Sequence, residues 1–260
     1  MTLFWHELRR GRVMLTVFTG AIAFMLGICI LIYPEMAGEM AEVSNMFADM
    51  GAFSEAFGMD QLNFGEFMGY FGIECGNTLG LGGALFAALL GIGALAKEEK
   101  DKTAEFLLTH PISRTRVVSE KLLAVLAQLF IMNVGVTAVS LLAVAVVGVK
   151  AEVGTMLLLF FANFLMQIEI AAVTFGLSAF LCGNGLGIGL GLAFGLYFLQ
   201  ILSNLIKETE FLKFFTPFAY TDGAYIVAEK ALEIKYLLTG LALALVGIAA
   251  AYWQYRKKDI

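Results

Sequence analysis

The stretch Leu122 to Val149, LLAVLAQLFIMNVGVTAVSLLAVAVVGV, decides the fold. It holds no Asp, Glu, Lys or Arg. A helix needs roughly 20 such residues to cross a hydrocarbon core of about 30 Å. The run is continuously apolar rather than alternating, which argues for a helix and against a barrel strand.

Working outward, runs of the same kind occupy residues 13–34, 75–96 and 236–255. Between Val153 and Ile206 the single ionisable residue is Glu169. That length suits two crossings, 153–181 and 186–206, with Cys182-Gly183-Asn184-Gly185 as the turn. The expected architecture is an all-α membrane protein of six transmembrane helices in one domain, 1–260. Of the 260 residues, 60% are hydrophobic and 15% charged, too little polar surface for a water-soluble domain of this size. Arg9, Arg10 and Arg12 precede the first run as in a signal peptide, but its apolar length and the later spans make it an uncleaved helix.

Six spans put both termini on one side. The termini and the connection between spans 2 and 3 carry 12 of the 17 Lys and Arg, which places that side in the cytoplasm. The external loop 35–74 has no basic residue but many acids, from Glu35 to Glu74. It fits a solvated loop cleared of basic residues by topology, or an acidic vestibule that attracts cationic cargo. Within it Met46, Met50, Phe53 and Phe57 mark one face of a short helix.

The sizeable internal cytoplasmic segment is 97–121, KEEKDKTAEFLLTHPISRTRVVSEK. Its middle is a short helix with an apolar knot, Phe106, Leu107 and Leu108. Pro111 stops that helix, and Ser113 can cap a second one that runs into span 3. The knot suits insertion into a groove on a cytoplasmic protein, or burial among lipid headgroups.

This segment resembles the signature of ABC-2 type permeases. The matching stretch is Glu98-Glu99-Lys100-Asp101-Lys102-Thr103-Ala104-Glu105-Phe106-Leu107-Leu108-Thr109-His110-Pro111-Ile112-Ser113-Arg114, continuing through Lys121-Leu122-Leu123-Ala124. Lys102 and Glu120 stand where glycine is common in the family. Thr216-Pro217-Phe218 resembles the Ser-Pro-Phe after span 5. Tyr255-Arg256-Lys257-Lys258-Asp259-Ile260 resembles the usual close of the chain. Leu3 to Arg12 resembles an N-terminal interfacial helix.

The resemblance implies a permease subunit of an ABC exporter in the cell membrane. Such a chain pairs with a second permease and docks on separate cytoplasmic ATPase subunits through a coupling helix between spans 2 and 3. Glu98, Thr103, Glu105, Phe106, Leu107, Leu108, Pro111, Ser113 and Arg114 would form that docking element. ATP and Mg would be bound by the ATPase, with no cofactor and no metal in this chain. Short outer-leaflet helices would fill the segment between spans 5 and 6, where Phe211, Phe214, Phe215, Pro217, Phe218, Tyr220 and Tyr225 cluster.

Other patterns carry less. Gly183, Gly187, Gly191 and Gly195 recur every four residues, as do Gly72, Gly76 and Gly80, which reads as helix packing, with a hinge or dimer seam as the other reading. Glu169, with Asn133 and Gln128 of span 3, forms a candidate translocation path. The other reading of Glu169 is a protonated structural residue hydrogen-bonded to neighbours such as Asn163 or Gln167. Cys29, Cys75 and Cys182 show no metal or disulfide spacing. A GxxxxGK[ST] loop is absent from the sequence, as are HExxH and GxSxG, so no catalytic residue is assigned and no nucleic-acid role is expected. The competing function is a non-ATP-driven secondary transporter or membrane assembly factor. A secondary transporter should show inverted repeats and several intramembrane charges, and the sequence shows one such charge and no evident repeat.

Overall fold

The computed structural model describes residues 2–48, 51, 54, 56, 65–100, 113–181, 183 and 185–257. Among them, 6 helices are long and apolar enough to cross a membrane. Span 1 lies in the helix Thr2–Ala48. Span 2 consists of Phe67–Glu74, a π-helical stretch Cys75–Leu81, and Gly82–Lys100. Spans 3 to 6 are Arg114–Val147, Val153–Ser178, Leu186–Leu205 and Ile234–Lys257. Short helices Lys207–Phe214, Ala219–Thr221 and Gly223–Glu229 occupy the segment between spans 5 and 6.

Spans 2 and 4 form the core, with span 3 against span 1 and span 6 against span 4. Spans 1, 3, 5 and 6 turn rows of large apolar residues outward, among them Phe24, Phe130, Leu142, Phe198 and Leu245. Water would penalise so much exposed apolar surface, whereas lipid does not.

Several boundaries differ from the sequence expectation. The N-terminal segment is continuous with span 1 and does not form a separate interfacial helix. No proline or strong turn signal separates Leu3 from Val13, so nothing breaks the hydrogen-bond ladder. The helix also continues past Pro34 to Ala48. A proline inside a helix forfeits one backbone bond, and membrane helices tolerate that loss. The loop expected at 35–74 is therefore helical at both ends, and Glu74 falls inside the second membrane helix. Of the amphipathic stretch expected there, Met46 lies on the end of the first helix, while Met50, Phe53 and Phe57 lie outside the described residues.

The π-helical stretch changes which glycines share a face. A π turn takes in an extra residue, so a four-residue repeat drifts around the axis. Gly72 packs on the backbone of Gly223, Gly76 faces open space, and Gly80 packs on Asn163. The close seam between spans 2 and 4 runs instead through Gly83 against Gln167 and Gly91 against Thr174 and Ala171. In span 5 the expected row Gly183, Gly187, Gly191 and Gly195 meets nothing among the described residues. Its neighbours Gly185 and Gly189 make the contact, both with Ile92. Gly148 ends span 3 at φ 71, a left-handed conformation that glycine adopts without a steric penalty, and its N–H donates to the Val144 carbonyl at 2.9 Å.

Candidate functional site

The residues 101–112, including Thr103, Glu105, Phe106, Leu107, Leu108 and Pro111, lie outside the described residues. Their two anchors are described. Glu98 sits near the end of the helix Gly82–Lys100. Ser113 caps span 3, accepting from the Arg116 N–H at 3.3 Å, as its place after Pro111 predicts.

From Ser113 onward the first two turns of span 3 form a polar collar. The Arg114 guanidinium donates to the carbonyls of Tyr255 and Arg256 at 3.5 and 3.3 Å, satisfying acceptors at the end of span 6. Ser119 and Tyr252 share a hydrogen bond of 2.7 Å between the same two helices. Glu120 accepts from Arg116 at 2.8 Å and from the Phe4 N–H of span 1 at 3.2 Å. Lys121 is only 1% exposed. It donates to Glu7 at 3.1 Å and to the Ala94 carbonyl of span 2 at 2.6 Å. The start of span 3 thus ties to the starts or ends of spans 1, 2 and 6 at one end of the bundle. Glu120 breaks the family pattern in sequence, yet here it holds the N-terminal turn.

The three polar residues of the expected path face different neighbours. Gln128 lies against Gly11 of span 1 and donates to its own helix at Ala124. Asn133 donates to Gln167 of span 4 at 2.6 Å. Glu169 faces Gly240 of span 6, where the missing Cβ leaves room for the carboxylate. Neither Asn163 nor Gln167 bonds to Glu169: Asn163 donates to Leu159 and Cys75, and Gln167 accepts from Asn133. Both Glu169 oxygens lack a hydrogen-bond partner among the described residues.

The Asn133–Gln167 bond carries a direct test. Asn133→Leu leaves the Gln167 oxygen buried without a donor. Such a loss costs about 1 kcal/mol in membrane proteins, where alternative partners soften the penalty. Denaturant unfolding in detergent should show that decrease with the helices still assembled.

The segment between spans 5 and 6 is wedged into the bundle. Thr216 donates to the Leu196 carbonyl at 2.8 Å, and Phe218 stacks edge-on against Tyr197 at 5.5 Å. Asp222 caps the helix Gly223–Glu229 through the Ala224 and Tyr225 N–H groups. Tyr220 is fully buried, and its hydroxyl faces Glu169 without closing a hydrogen bond to it. At the opposite end from the collar, Lys230 pairs with Glu152 at 2.7 Å and holds that carboxyl below the usual carboxylate range, Thr155 adding a hydrogen bond.

Some elements of the site had no sequence signal. The partners of Lys121 and the neighbours of Glu169 are set by tertiary contact alone. Glu74 reads as part of an acidic loop, but it accepts from the Cys29 thiol at 3.7 Å, across spans 1 and 2. Its place within one helical repeat of the apolar run from Cys75 was the available clue.

Six apolar helices, the wedged Thr216-Pro217-Phe218 turn and the collar after Ser113 describe a membrane domain. Across residues 1–260 the chain matches the family described as ABC-2 family transporter protein. The chain belongs to the ABC-2 transporter family. No curated protein matched it. This ABC-2 protein is a multi-pass membrane permease, the membrane component of a transport system. Its family is generally non-catalytic and associates with ABC ATPases.

Proposed function

We propose that this chain is the permease subunit of an ATP-driven exporter in the cell membrane, with both termini in the cytoplasm. A separate ATPase, holding ATP and Mg, would drive it through the coupling segment 97–121. The observation that carries this reading is the collar. The residues that follow the apolar knot are bonded directly to spans 1, 2 and 6, so displacement of the knot would load four helices together. Export follows from a path that opens between two permeases when the paired ATPases close.

The exposed row Gly187, Gly191 and Gly195 supports a second permease packing on span 5, identical or related. Gly191→Val should leave the unfolding midpoint of the isolated chain nearly unchanged, since none of the described residues lies where a Cβ would go. Blue native electrophoresis should then show the paired form lost. A pair that survives intact removes span 5 from the seam.

The deciding experiment is purification from native membranes in mild detergent. The expected preparation contains an ATPase subunit and hydrolyses ATP. A chain that transports while purifying without any ATPase would overturn the reading.

A further inference from the structure

A cavity of about 110 Å³ lies between spans 4, 5 and 6 and the wedged segment. Its walls are apolar, chiefly Ile170, Leu192, Leu196, Phe214 and Leu243, with one carboxylate, Glu169. Glu169 is 2% exposed, and among the described residues neither oxygen has a hydrogen-bond partner. Phe214 and Phe215 form an exposed rim, and the Phe214 ring meets Tyr236 edge-on at 5.0 Å.

An unpaired carboxylate in such surroundings pays a desolvation cost of several kcal/mol, so it takes up either a proton or a cation. The geometry favours more than a proton. Gly240 gives the carboxylate its place against span 6, since any side chain there would collide with it. The Tyr220 hydroxyl faces Glu169 without bonding to it, so the carboxylate stays open to a ligand from the cavity. Aromatic rings at the rim favour a cation as it enters. An apolar cavity of about 150 Å³ accepts benzene, so this smaller one suits a narrow chain of a few methylenes better than a ring.

We propose that this cavity binds a primary ammonium group on a short unbranched apolar stem, the chemistry of a lysine side chain end, with Glu169 as its counter-ion. As a site for cargo, the proposal rests on the permease reading; as a binding site, it stands on the cavity alone.

The test uses the full chain in phosphatidylcholine nanodiscs with n-butylammonium, n-butanol and n-butyrate as probes. Butylammonium should raise the unfolding midpoint of the wild type, while butanol and butyrate should not. Glu169→Gln should weaken butylammonium binding by about 30-fold or more, the effect of removing one partner of a buried charge pair. Leu192→Phe, which narrows the cavity and leaves Glu169 in place, should weaken it too. Infrared difference spectra recorded below the Glu169 titration should show its protonated-acid carbonyl band disappear on binding. A wild type that does not respond, a response equalled by butanol, or equal binding by Glu169→Gln overturns the proposal and assigns Glu169 to proton binding or structure. If the site fails while the ATPase still co-purifies, the permease reading stands. If butylammonium binds but no ATPase accompanies the chain, the site stands and the permease reading falls.

Discussion

On the exporter reading, Leu107→Asp is expected to leave the permease in the membrane and abolish co-purification of an ATPase. Leu107 is the centre of the apolar knot Phe106, Leu107 and Leu108, flanked by charged residues on both sides. Burying a leucine in a partner groove contributes about 1.5–3 kcal/mol. An aspartate in its place loses that contribution and adds an unpaired charge at the centre of a desolvated contact. A loss of about 3 kcal/mol or more corresponds to roughly 100-fold or greater weakening, enough to empty a detergent pull-down. The spans themselves lose nothing, because the residue lies in the connection between the second and third. Immunoblots of the membrane fraction and of the affinity eluate check both halves. A complex that survives Leu107→Asp intact would move the docking site away from the knot. Exchanging Glu105 for Gln, by contrast, should change association rate and salt dependence more than affinity, since charges at the rim of such a contact mainly steer it.

The spans were legible in sequence because solvent selects them by composition. Lipid rewards any long apolar run, so LLAVLAQLFIMNVGVTAVSLLAVAVVGV announces itself without knowledge of its neighbours. Local chemistry was legible for the same reason: Ser113 after Pro111 predicts a cap, and the cap is there. Features set by a partner helix were not. The Gly72, Gly76 and Gly80 repeat looked like one face, but the π-helical stretch from Cys75 to Leu81 rotates those positions apart. Asn133, Gln128 and Glu169 looked like a common polar path, but each answers to a different helix. Glu74 looked like the last acid of a loop because the apolar run begins at the next residue, whereas the helix begins at Phe67. Composition sets where a helix can lie in lipid; only packing sets which of its faces meet.

Lys121→Met is expected to destabilise the chain by about 3 kcal/mol. Lys121 is 1% exposed, and its ammonium bonds to Glu7 at 3.1 Å and to the Ala94 carbonyl at 2.6 Å. Methionine keeps most of the stem volume, so little packing is lost. What remains is a largely buried carboxylate without this donor, while the Ala94 carbonyl keeps its place in the backbone ladder of the helix Gly82–Lys100. Removing one member of a buried ion pair costs about 3–5 kcal/mol, and the lower end applies because the Glu7 side chain is 14% exposed and retains some solvent. The double variant Lys121→Met with Glu7→Leu should recover much of the loss, since the stranded charge is then gone. Denaturant unfolding of the three variants in one detergent measures the cycle. The coupling readout separates mechanics from stability. The double variant restores much of the stability but not the Lys121 ties from span 3 to spans 1 and 2, so on the exporter reading ATP hydrolysis in the purified complex should continue while transport falls. A double variant that transports as well as the wild type would show that the Lys121 ties hold the bundle together without transmitting motion through it. Equal unfolding midpoints for wild type and Lys121→Met would remove those ties from the stability of the fold as well.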